Sequence, residues 1–463
     1  MTKYDAIIIG SGQGGVPLAK KLAKADWKVA LIERKWVGGT CINIGCTPTK
    51  TMISSGRIAH LMKRSADFGV HTNGFSVNME EVVKRKNSVV MSFREGGTKG
   101  LLRTPNLDLI FGNAAFSGPK EITVVEEDGS REVLSAEKIF INTGLRPLLP
   151  PVPGLDEINY LTSTSVMEVQ EVPPHLIIIG GSYIALEFGQ LYRRLGSEVT
   201  ILERGAQFLS REDEDIAAEL KRILEEEGIR VLVNTKVLQA AGTGNGKEVQ
   251  LTIDSGDRPS LITGSHVLVA TGREPDTTGL NPSIAGIDLD QYGYIRVNDK
   301  LETSAPGIYA LGDVKGGPAF THISYNDYLI LYKNLVEKGN ESIKDRLLVY
   351  CMFTDPELGR VGLSEKQARE KGLNIKVAKL PMTRVARGIE TGETGGLIKA
   401  VVDADSKKII GASVLAPEGG ELMSVLQMAI LGGITYEAIR DNVFAHPTFS
   451  ESLNNLFMTL DNE

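Results

Sequence analysis

Two cysteines lie five residues apart near the N-terminus, in the segment GGTCINIGCTPTK that covers residues 38–50. In a straight α-helix, residues five apart are separated by about 7.5 Å along the axis. A disulfide spans only about 4.4–6.8 Å between Cα atoms. A bond between Cys41 and Cys46 therefore requires a bend in the backbone, which Gly45 can provide. A strained bond of this kind is readily reduced, as is typical of catalytic disulfides.

The residues after the second cysteine favour a reactive thiolate. Pro48 suits the first turn of a helix, so we expect Cys46 at a helix N-terminus, where the helix dipole stabilises a thiolate. Lys50 adds a positive charge one turn later. The alternative is a pair of ordinary buried cysteines, and the spacing alone does not separate the two interpretations.

A dinucleotide-binding pattern stands directly before the cysteines. Residues 5–33 read as an apolar strand, a glycine-rich turn, a helix and a second strand. The turn carries Gly10, Gly12 and Gly15, and the second strand ends on Glu33, 23 residues after Gly10. The glycines allow a pyrophosphate to approach the helix N-terminus, and the carboxylate can accept a hydrogen bond from a ribose hydroxyl.

The same pattern recurs in residues 176–203, again with 23 residues between its first glycine, Gly180, and its closing acid, Glu203. Ser182 and Ala185 replace the second and third glycines. Both are small, so the close approach of a ligand remains possible. The repeat predicts two dinucleotide-binding domains in one chain.

The segments between and after these units have other patterns. Residues 56–103 look helical, with a break expected at Gly96-Gly97, and residues 107–141 look like short strands joined by turns. The proline-rich residues 146–154 predict a linker. From about residue 347 the pattern predicts an α+β domain, with strands over residues 347–353, 375–381, 396–402 and 409–415.

The C-terminal domain ends in FAHPTFSE, residues 444–451. An imidazole side chain in general titrates near neutrality, so His446 is a candidate to deprotonate a thiol. The carboxylate of Glu451 can fix the tautomer of that imidazole and raise its basicity. This pair is a candidate for acid–base catalysis.

Composition narrows the class of protein. A chain of 463 residues suggests two to four domains, and 50 glycines fit a fold rich in phosphate-binding turns. The net charge of −7 argues against nucleic acid or an anionic membrane as the main partner. The absence of a membrane-span pattern and of a signal-peptide pattern, together with only three cysteines, favours a cytoplasmic location. We expect Cys351 to be a buried, small hydrophobic side chain.

Together these motifs resemble those of the class I pyridine nucleotide–disulfide oxidoreductases, the family of dihydrolipoyl dehydrogenase, glutathione reductase and mercuric reductase. Thr-Gly-x-x-Pro turns at residues 143–147 and 271–275 and a Gly-Asp motif at residues 312–313 complete the family's order of motifs. The resemblance implies an α/β fold with two Rossmann-like dinucleotide-binding domains, for FAD and NAD(P), and a C-terminal α+β dimerisation domain. The expected domains are residues 1–150 (FAD-binding, first part), 151–274 (NAD(P)-binding), 275–345 (FAD-binding and central, second part) and 346–463 (dimerisation).

The resemblance also implies roles for individual residues. Electrons would pass from NAD(P)H through FAD to a redox-active disulfide, in which Cys46 is the charge-transfer thiol and Cys41 the interchange thiol. The imidazole that exchanges protons with the interchange thiol would come from the partner subunit of a homodimer, so that the active site is shared. The catalytic set implied is Cys41, Cys46, Lys50, Glu187, His446 and Glu451, with Lys50 paired to Glu187 beside the flavin.

The resemblance also implies which residues contact the cofactors. Tyr183 would act as a gate over the nicotinamide, and no metal ligands are implied. The implied cofactor-binding residues are Gly10, Gly12, Gly15, Glu33, Thr40, Lys50, Ala114, Thr143, Gly144, Asp313, Thr321, Gly180, Ser182, Tyr183, Glu203 and Gly272. NADH is favoured by the acid at Glu203, whereas Arg204 and Arg211 would suit the 2′-phosphate of NADPH.

Branches of this family differ in the substrate that they reduce or oxidise. Residues 312–322 and 354–362 look most similar to the mercuric-reductase-like branch, which includes copper-reducing flavoproteins that keep the His-Pro motif. The expected function is therefore reduction of a thiol-bound mercuric or cupric ion or of a small disulfide. Dihydrolipoyl dehydrogenase, acting with NAD, is the first alternative, and a redox-sensing flavoprotein without turnover is the second.

Overall fold

The structure is a computed structural model that describes residues 1–243, 248–256 and 258–462. No helix within these ranges has both the length and the apolar character needed to cross a bilayer.

The strands are β1 (Thr2–Ile9), β2 (Val29–Glu33), β3 (Leu107–Phe111), β4 (Asn113–Gly118), β5 (Glu121–Val125), β6 (Arg131–Ile141), β7 (Leu145–Pro147), β8 (Tyr160–Leu161), β9 (His175–Ile179), β10 (Glu198–Leu202), β11 (Arg230–Leu232), β12 (Lys236–Gly242), β13 (Val249–Asp254), β14 (Ser260–Gly264), β15 (His266–Val269), β16 (Arg273–Pro275), β17 (Ile308–Ala310), β18 (Val349–Met352), β19 (Glu357–Gly362), β20 (Ile375–Pro381), β21 (Leu397–Asp403) and β22 (Ile409–Ala416). The α-helices are α1 (Gly15–Lys24), α2 (Gly39–Ile44), α3 (Cys46–Arg64), α4 (Met79–Leu102), α5 (Tyr183–Leu195), α6 (Glu214–Glu226), α7 (Thr321–Leu335), α8 (Glu365–Glu370), α9 (Ala386–Glu390), α10 (Gly419–Leu431), α11 (Tyr436–Arg440) and α12 (Ser452–Met458).

The first of two compact units combines residues 1–51, 80–149 and 272–346. Its main sheet has the strand order β3-β2-β1-β6-β5-β4, with β17 also paired to β6. Five strands of this sheet run parallel to one another: β1, β2, β3, β6 and β17. Strand β5 pairs antiparallel with both of its neighbours, β6 and β4. Because parallel strands end at the same edge of a sheet, the turns that follow β1, β6 and β17 meet there.

The second compact unit combines residues 52–79, 150–271 and 347–463. It contains the parallel sheet β11-β10-β9-β15-β8, which repeats the dinucleotide-binding topology of the first unit. It also contains the antiparallel sheets β12-β13-β14 and β18-β19-β22-β21-β20. The fold class expected from the sequence, two Rossmann-like domains and an α+β domain, is confirmed.

Two local expectations were wrong, and one group of strands was missed. Helix α4 runs without a break through Gly96-Gly97, because helix propensity is a weak preference that the packing of side chains such as Val83, Val90 and Leu101 overrides. Cys351 lies in β18 and is partly exposed rather than buried. The antiparallel strands β12, β13, β14 and β19 were not predicted.

Candidate active site and nucleotide-binding sites

The cysteine pair lies on two consecutive helices joined by one glycine. Cys41 belongs to α2, and Cys46 is the first residue of α3, as predicted. Between them, Gly45 has φ −138° and ψ −116°, outside the helical region. A Cβ at Gly45 would lie 2.9 Å from the carbonyl oxygen of Thr40, so this bend suits only glycine. The backbone thus brings the two sulfurs together in a way that a continuous helix would not.

Both residues are thiols in the structure, and their environments differ. The pKa of the Cys41 thiol is raised, first by its hydrogen bond with Cys46 and then by burial. Thr321 and Lys50 act in the opposite direction on that pKa. The Oγ1 atom of Thr321, at the start of α7, lies 3.3 Å from Sγ of the exposed Cys46. The hydrogen bond with Cys46 and burial thus make the Cys41 thiol less acidic than an ordinary thiol.

Helix α2 is held by two residues that the sequence analysis did not single out. The Nδ2 atom of Asn43 donates to the carbonyl oxygens of Val37 and Gly39, at 3.0 and 2.9 Å. Its Oδ1 atom accepts a hydrogen bond from Nε of Arg94 at 2.7 Å. The guanidinium of Arg94 also lies 4.5 Å from the ring centre of Trp36. The position of Asn43 between the two cysteines was a sequence signal for a role in holding this segment. Arg94 lies 51 residues further on, and its position gave no such signal.

The first glycine-rich turn follows β1 and is tightly enclosed. Gly10 has φ +100°, and a Cβ there would lie 2.4 Å from the carbonyl oxygen of Asn142. At Gly12 a Cβ would lie 2.8 Å from Oδ1 of the same asparagine, and at Gly15 it would lie 2.2 Å from the carbonyl oxygen of Gly10. The turn therefore leaves no room for larger residues, as a backbone that must approach a pyrophosphate requires.

The acid at the end of β2 is fixed beside this turn. The Oε2 atom of Glu33 accepts hydrogen bonds from the backbone N and the Oγ of Ser11, at 3.0 and 2.6 Å. Its Oε1 atom accepts one from the backbone N of Lys35 at 2.8 Å. The carboxylate is thus held at the carboxyl edge of the sheet, where a dinucleotide's ribose is expected.

Residues at the same edge fit a polar ligand. The Oγ1 atom of Thr143 is buried and has no hydrogen-bond partner among the described residues. Its neighbour Gly144 has φ +72°, with nothing within 4 Å of the position of a Cβ. Burial raises the pKa of Asp313, and Arg273, with Nη1 at 3.7 Å, opposes the shift. A buried hydroxyl without a partner among the described residues, open space beside it and a partly buried carboxylate are features that a bound FAD would explain. Ala114 is placed farther along the sheet, in β4 opposite Val124.

The second glycine-rich turn reproduces the first. Gly180 has φ +112°, and a Cβ there would lie 2.4 Å from the carbonyl oxygen of Ala270. The carboxylate of Glu203 accepts hydrogen bonds from the backbone N atoms of Gly181 and Gly205, at 2.8 and 2.6 Å. Helix α5 begins directly after Ser182. The structure therefore brings Gly180, Ser182 and Glu203 together at one edge of the sheet, and Tyr183 is the first residue of α5. Gly272, which was expected at the same site, has φ +133° and belongs to the first unit.

Glu187 lies one turn into α5 and is 4% exposed. Its Oε1 atom accepts a hydrogen bond from the backbone N of Phe353 at 2.9 Å. Lys50 belongs to the first unit and Glu187 to the second. Their expected pairing stays a prediction.

The C-terminal motif forms the expected imidazole–carboxylate pair. The Nδ1 atom of His446 lies 2.9 and 2.8 Å from the two carboxylate oxygens of Glu451. Thr448 accepts a hydrogen bond from the backbone N of Glu451 at 3.2 Å and donates to the carbonyl oxygen of Ala445 at 2.9 Å. With Nδ1 engaged and the histidine side chain 67% exposed, Nε2 is the nitrogen that can exchange a proton with another molecule.

Known proteins are similar to this chain along almost all of its length. Residues 4–327 match the family model described as pyridine nucleotide-disulphide oxidoreductase, and residues 348–457 match the dimerisation domain of that family. The probable pyridine nucleotide-disulfide oxidoreductase RclA of Escherichia coli is 40% identical over 466 residues, covering 99% of each chain. A mercuric reductase of Bacillus cereus is 35% identical over 99% of this chain and 72% of its own, and a dihydrolipoyl dehydrogenase of Thermus scotoductus is 36% identical over 98% and 96%.

Among solved structures, the Cu(II) complex of the HOCl-induced flavoprotein disulfide reductase RclA from E. coli superposes with a TM-score of 0.91 at 38% identity. The match covers 99% of this chain and 100% of that one. The dimerisation domain indicates a homodimer. The chain belongs to the pyridine nucleotide–disulfide oxidoreductase family and is an FAD-dependent oxidoreductase that uses NAD(P)H.

Proposed function

We propose that the protein is an NAD(P)H-dependent reductase that uses Cys41 and Cys46 to reduce a small disulfide or a thiol-bound mercuric or cupric ion. The observation that carries this proposal is the unequal surroundings of the two thiols. Cys46 is exposed at the N-terminus of α3 with its Sγ 3.3 Å from Oγ1 of Thr321, whereas Cys41 is partly buried and hydrogen-bonded to Cys46. Similarity to mercuric reductases and to a disulfide reductase solved with Cu(II) supports this acceptor class.

When bound, FAD supplies the relay that carries two electrons from the nicotinamide to the cysteine pair. We assign residues 1–150 and 275–345 to FAD binding, 151–274 to NAD(P) binding and 346–463 to dimerisation. The residues that would hold FAD are Gly10, Gly12, Gly15, Glu33, Thr40, Lys50, Ala114, Thr143, Gly144, Asp313 and Thr321. Those that would hold the nicotinamide nucleotide are Gly180, Ser182, Tyr183, Glu203 and Gly272.

The cysteines reduce a disulfide by thiol–disulfide exchange. His446 of the partner subunit removes the proton from Cys41, whose pKa is raised by the hydrogen bond with Cys46 and by burial. The Cys41 sulfur attacks one sulfur of the substrate, and the departing thiolate takes the proton from the imidazolium. Cys46 then attacks Sγ of Cys41, which releases the second thiolate and restores the disulfide. With a metal substrate, the two electrons of one NAD(P)H reduce one Hg(II) to Hg(0) or two Cu(II) to two Cu(I).

The fixed carboxylate of Glu203 favours NADH over NADPH. Two backbone donors orient it at the end of β10, where it can accept a hydrogen bond from the ribose diol and would repel a 2′-phosphate. Arg204 and Arg211 would favour NADPH if they lay against that phosphate. The ratio of kcat/KM for the two nucleotides decides this.

The experiment that tests the function is anaerobic turnover of the FAD-loaded protein with NADH and, in turn, mercuric thiolate, cupric thiolate and a small disulfide. We expect activity with at least one acceptor, loss of that activity in Cys46→Ser with FAD still bound, and retention in Cys351→Ser. Reduction retained by Cys46→Ser would contradict the dithiol mechanism. NADH oxidation that stops after one turnover with every acceptor would instead favour a redox sensor.

Dihydrolipoyl dehydrogenase is the second candidate, because the His446–Glu451 pair and the 36% identical relative both fit that activity. It predicts brisk NADH formation from NAD and dihydrolipoamide. Activity in that assay well above turnover with the metal thiolates and small disulfides would replace the first candidate by the second.

We further propose that the protein works in the cytoplasm, where the pair of Cys41 and Cys46 can cycle in a reducing environment.

A further inference from the structure

One buried side chain joins two separate segments of the first unit. Asn142 directly follows β6 and is 7% exposed. Its Oδ1 atom accepts a hydrogen bond from the backbone N of Gly15 at 2.9 Å. Its Nδ2 atom donates to the carbonyl oxygen of Leu311 at 2.9 Å and lies 3.4 Å from Oγ of Ser324. A backbone donor on one side and a backbone acceptor on the other fix the orientation of the amide.

Glycines of both segments enclose this amide. A Cβ at Gly12 would lie 2.8 Å from Oδ1 of Asn142, and a Cβ at Gly312 would lie 2.8 Å from its Nδ2. A Cβ at Gly14 would lie 2.8 Å from Oγ of Ser324. The turn before α1 and the turn before α7 therefore cannot separate without breaking the hydrogen bonds of Asn142.

The repeated unit lacks this link. Ala270 occupies the position that corresponds to Asn142, since a Cβ at Gly180 would lie 2.4 Å from its carbonyl oxygen, just as one at Gly10 would from that of Asn142. A dinucleotide-binding turn thus forms without an amide at this place. The two nucleotides also differ in what they require, because NAD(P)H must bind and leave in every turnover whereas FAD must stay.

We propose that Asn142 is a positioning residue that ties the first glycine-rich turn to the segment from Leu311 to Ser324 and thereby retains FAD, while Ala270 leaves the second site able to exchange its nucleotide. The inference rests on the proposed placement of FAD in the first unit. Release of FAD would require these two segments to move apart, and the buried hydrogen bonds of Asn142 oppose that movement.

The test compares Asn142→Ala, which reproduces the residue of the second unit, with Asn298→Ala. The control also removes hydrogen bonds within the first unit, since Oδ1 of the exposed Asn298 accepts from the backbone N atoms of Lys300 and Glu302 at 2.9 and 3.0 Å. FAD release from diluted holoprotein is followed by the rise of flavin fluorescence, and the KM for NADH and the unfolding temperature are measured in parallel. We expect release at least tenfold faster in Asn142→Ala with the KM for NADH within twofold, and release within twofold of wild type in Asn298→Ala.

A second variant keeps the test decisive if Asn142→Ala does not accumulate with FAD. Asn142→Asp retains an acceptor for Gly15 but loses the donor to Leu311, so it should also release FAD at least tenfold faster. Release within twofold of wild type in whichever of these variants folds, or equal acceleration in Asn298→Ala, would overturn the inference. A raised KM for NADH with unchanged FAD release would instead contradict the placement of FAD in the first unit.

Discussion

The two sulfurs of the active site differ because their surroundings differ, although the sequence places them only five residues apart. Cys46 is exposed at the N-terminus of a helix, and Cys41 is half-buried with its pKa raised mainly by the hydrogen bond with Cys46. This difference assigns the two thiols to different steps of the proposed exchange. It also makes the pKa of Cys41 depend on its neighbour.

Replacing Cys46 by serine should lower the pKa of Cys41. The substitution removes the thiol whose hydrogen bond and charge raise that pKa, while burial remains. In the reduced protein, the midpoint of the pH dependence of Cys41 alkylation, measured by mass spectrometry, should therefore lie at lower pH in Cys46→Ser than in the wild type. Cys351→Ser is the control and should leave the midpoint unchanged. An unchanged or higher midpoint in Cys46→Ser would show that burial, and not the neighbour, dominates.

His446→Gln should separate the two halves of the catalytic cycle. General acid–base catalysis contributes about 10²–10⁴-fold, so reduction of a disulfide substrate by the dithiol should slow by at least about 100-fold. Reduction of the oxidised protein by NADH should change little, because the imidazole is assigned to the dithiol step. Anaerobic stopped-flow measurement of each half-reaction checks this. Equal slowing of both would remove His446 from the proposed role.

At the scale of elements, the two glycine-rich turns allow the nucleotide sites to be disturbed one at a time. A Cβ at Gly180 would lie 2.4 Å from a carbonyl oxygen, so Gly180→Ala must displace the turn before α5. We expect the KM for NADH to rise at least tenfold while FAD stays bound. Gly129→Ala is the control, since Gly129 also has a positive φ, +84°, but has nothing within 4 Å of the position of a Cβ. A similar rise in that variant would point to general strain.

A buried ion cluster fixes three elements of the second unit to one another. Lys399 of β21 has a side chain that is 3% exposed, and its Nζ lies 3.0, 2.9 and 2.7 Å from carboxylate oxygens of Asp213, Asp215 and Glu365. Lys399→Met leaves these carboxylates without their buried cation and should lower the free energy of unfolding by about 3–5 kcal/mol. Lys379→Met is the matched control, because Lys379 is 47% exposed and also lies 2.7 Å from Asp215; it should cost less than about 1 kcal/mol.

The pH dependence of the same variant is also predicted. Burial opposes ionisation of the three carboxyl groups of Asp213, Asp215 and Glu365. Their hydrogen bonds and the positive charge of Lys399 nevertheless lower the pKa of each below its ordinary value. A lowered pKa stabilises the fold above the unfolded-state value near 4, and this contribution is lost as the pH falls through the folded-state pKa. Urea unfolding of Lys399→Met and wild type should therefore give a difference that shrinks below about pH 4. A difference independent of pH would mean that lost packing, not lost charge pairing, is responsible.

Sequence patterns predicted the parts of the fold that local spacing determines. The turns at Gly10 and Gly180, the start of α3 at Cys46 and the His446–Glu451 pair all depend on residues close together in the chain. The strand β13 has alternating burial at Val249, Leu251 and Ile253, so its signal was present in the sequence and was missed.

Other features have no local signal. Arg94 of α4 donates a hydrogen bond to Asn43 of α2, which is 51 residues away in the sequence. Asn142 acquires its role from Leu311 and Ser324, which are also distant in the sequence. Helix α4 passes through two glycines because the packing of buried side chains elsewhere in the helix, such as Val90 and Leu101, outweighs a propensity cost of about 1 kcal/mol per glycine. Contacts between residues that are distant in the sequence therefore determine these features.

At the scale of the whole molecule, the dimerisation domain raises the question of which subunit completes each active site. Residues 348–457 match the family's dimerisation domain, and His446 lies within that match. The proposed mechanism takes the acid–base residue from the partner subunit, so each dimer would contain two sites, both built from two chains.

Mixed dimers of Cys46→Ser and His446→Gln test this sharing. A mixed dimer has one site with both substitutions and one with neither only if each site takes its cysteines and its histidine from different chains. Both variants should be nearly inactive alone, and co-expression in equal amounts should restore about a quarter of wild-type disulfide reduction, because half of the dimers would be mixed and each would have one intact site. Tagging the two variants differently and purifying the mixed dimer should raise this to about half. If each chain completed its own site, every site in the mixed dimer would lack one essential group, and the purified species would be as inactive as its parents.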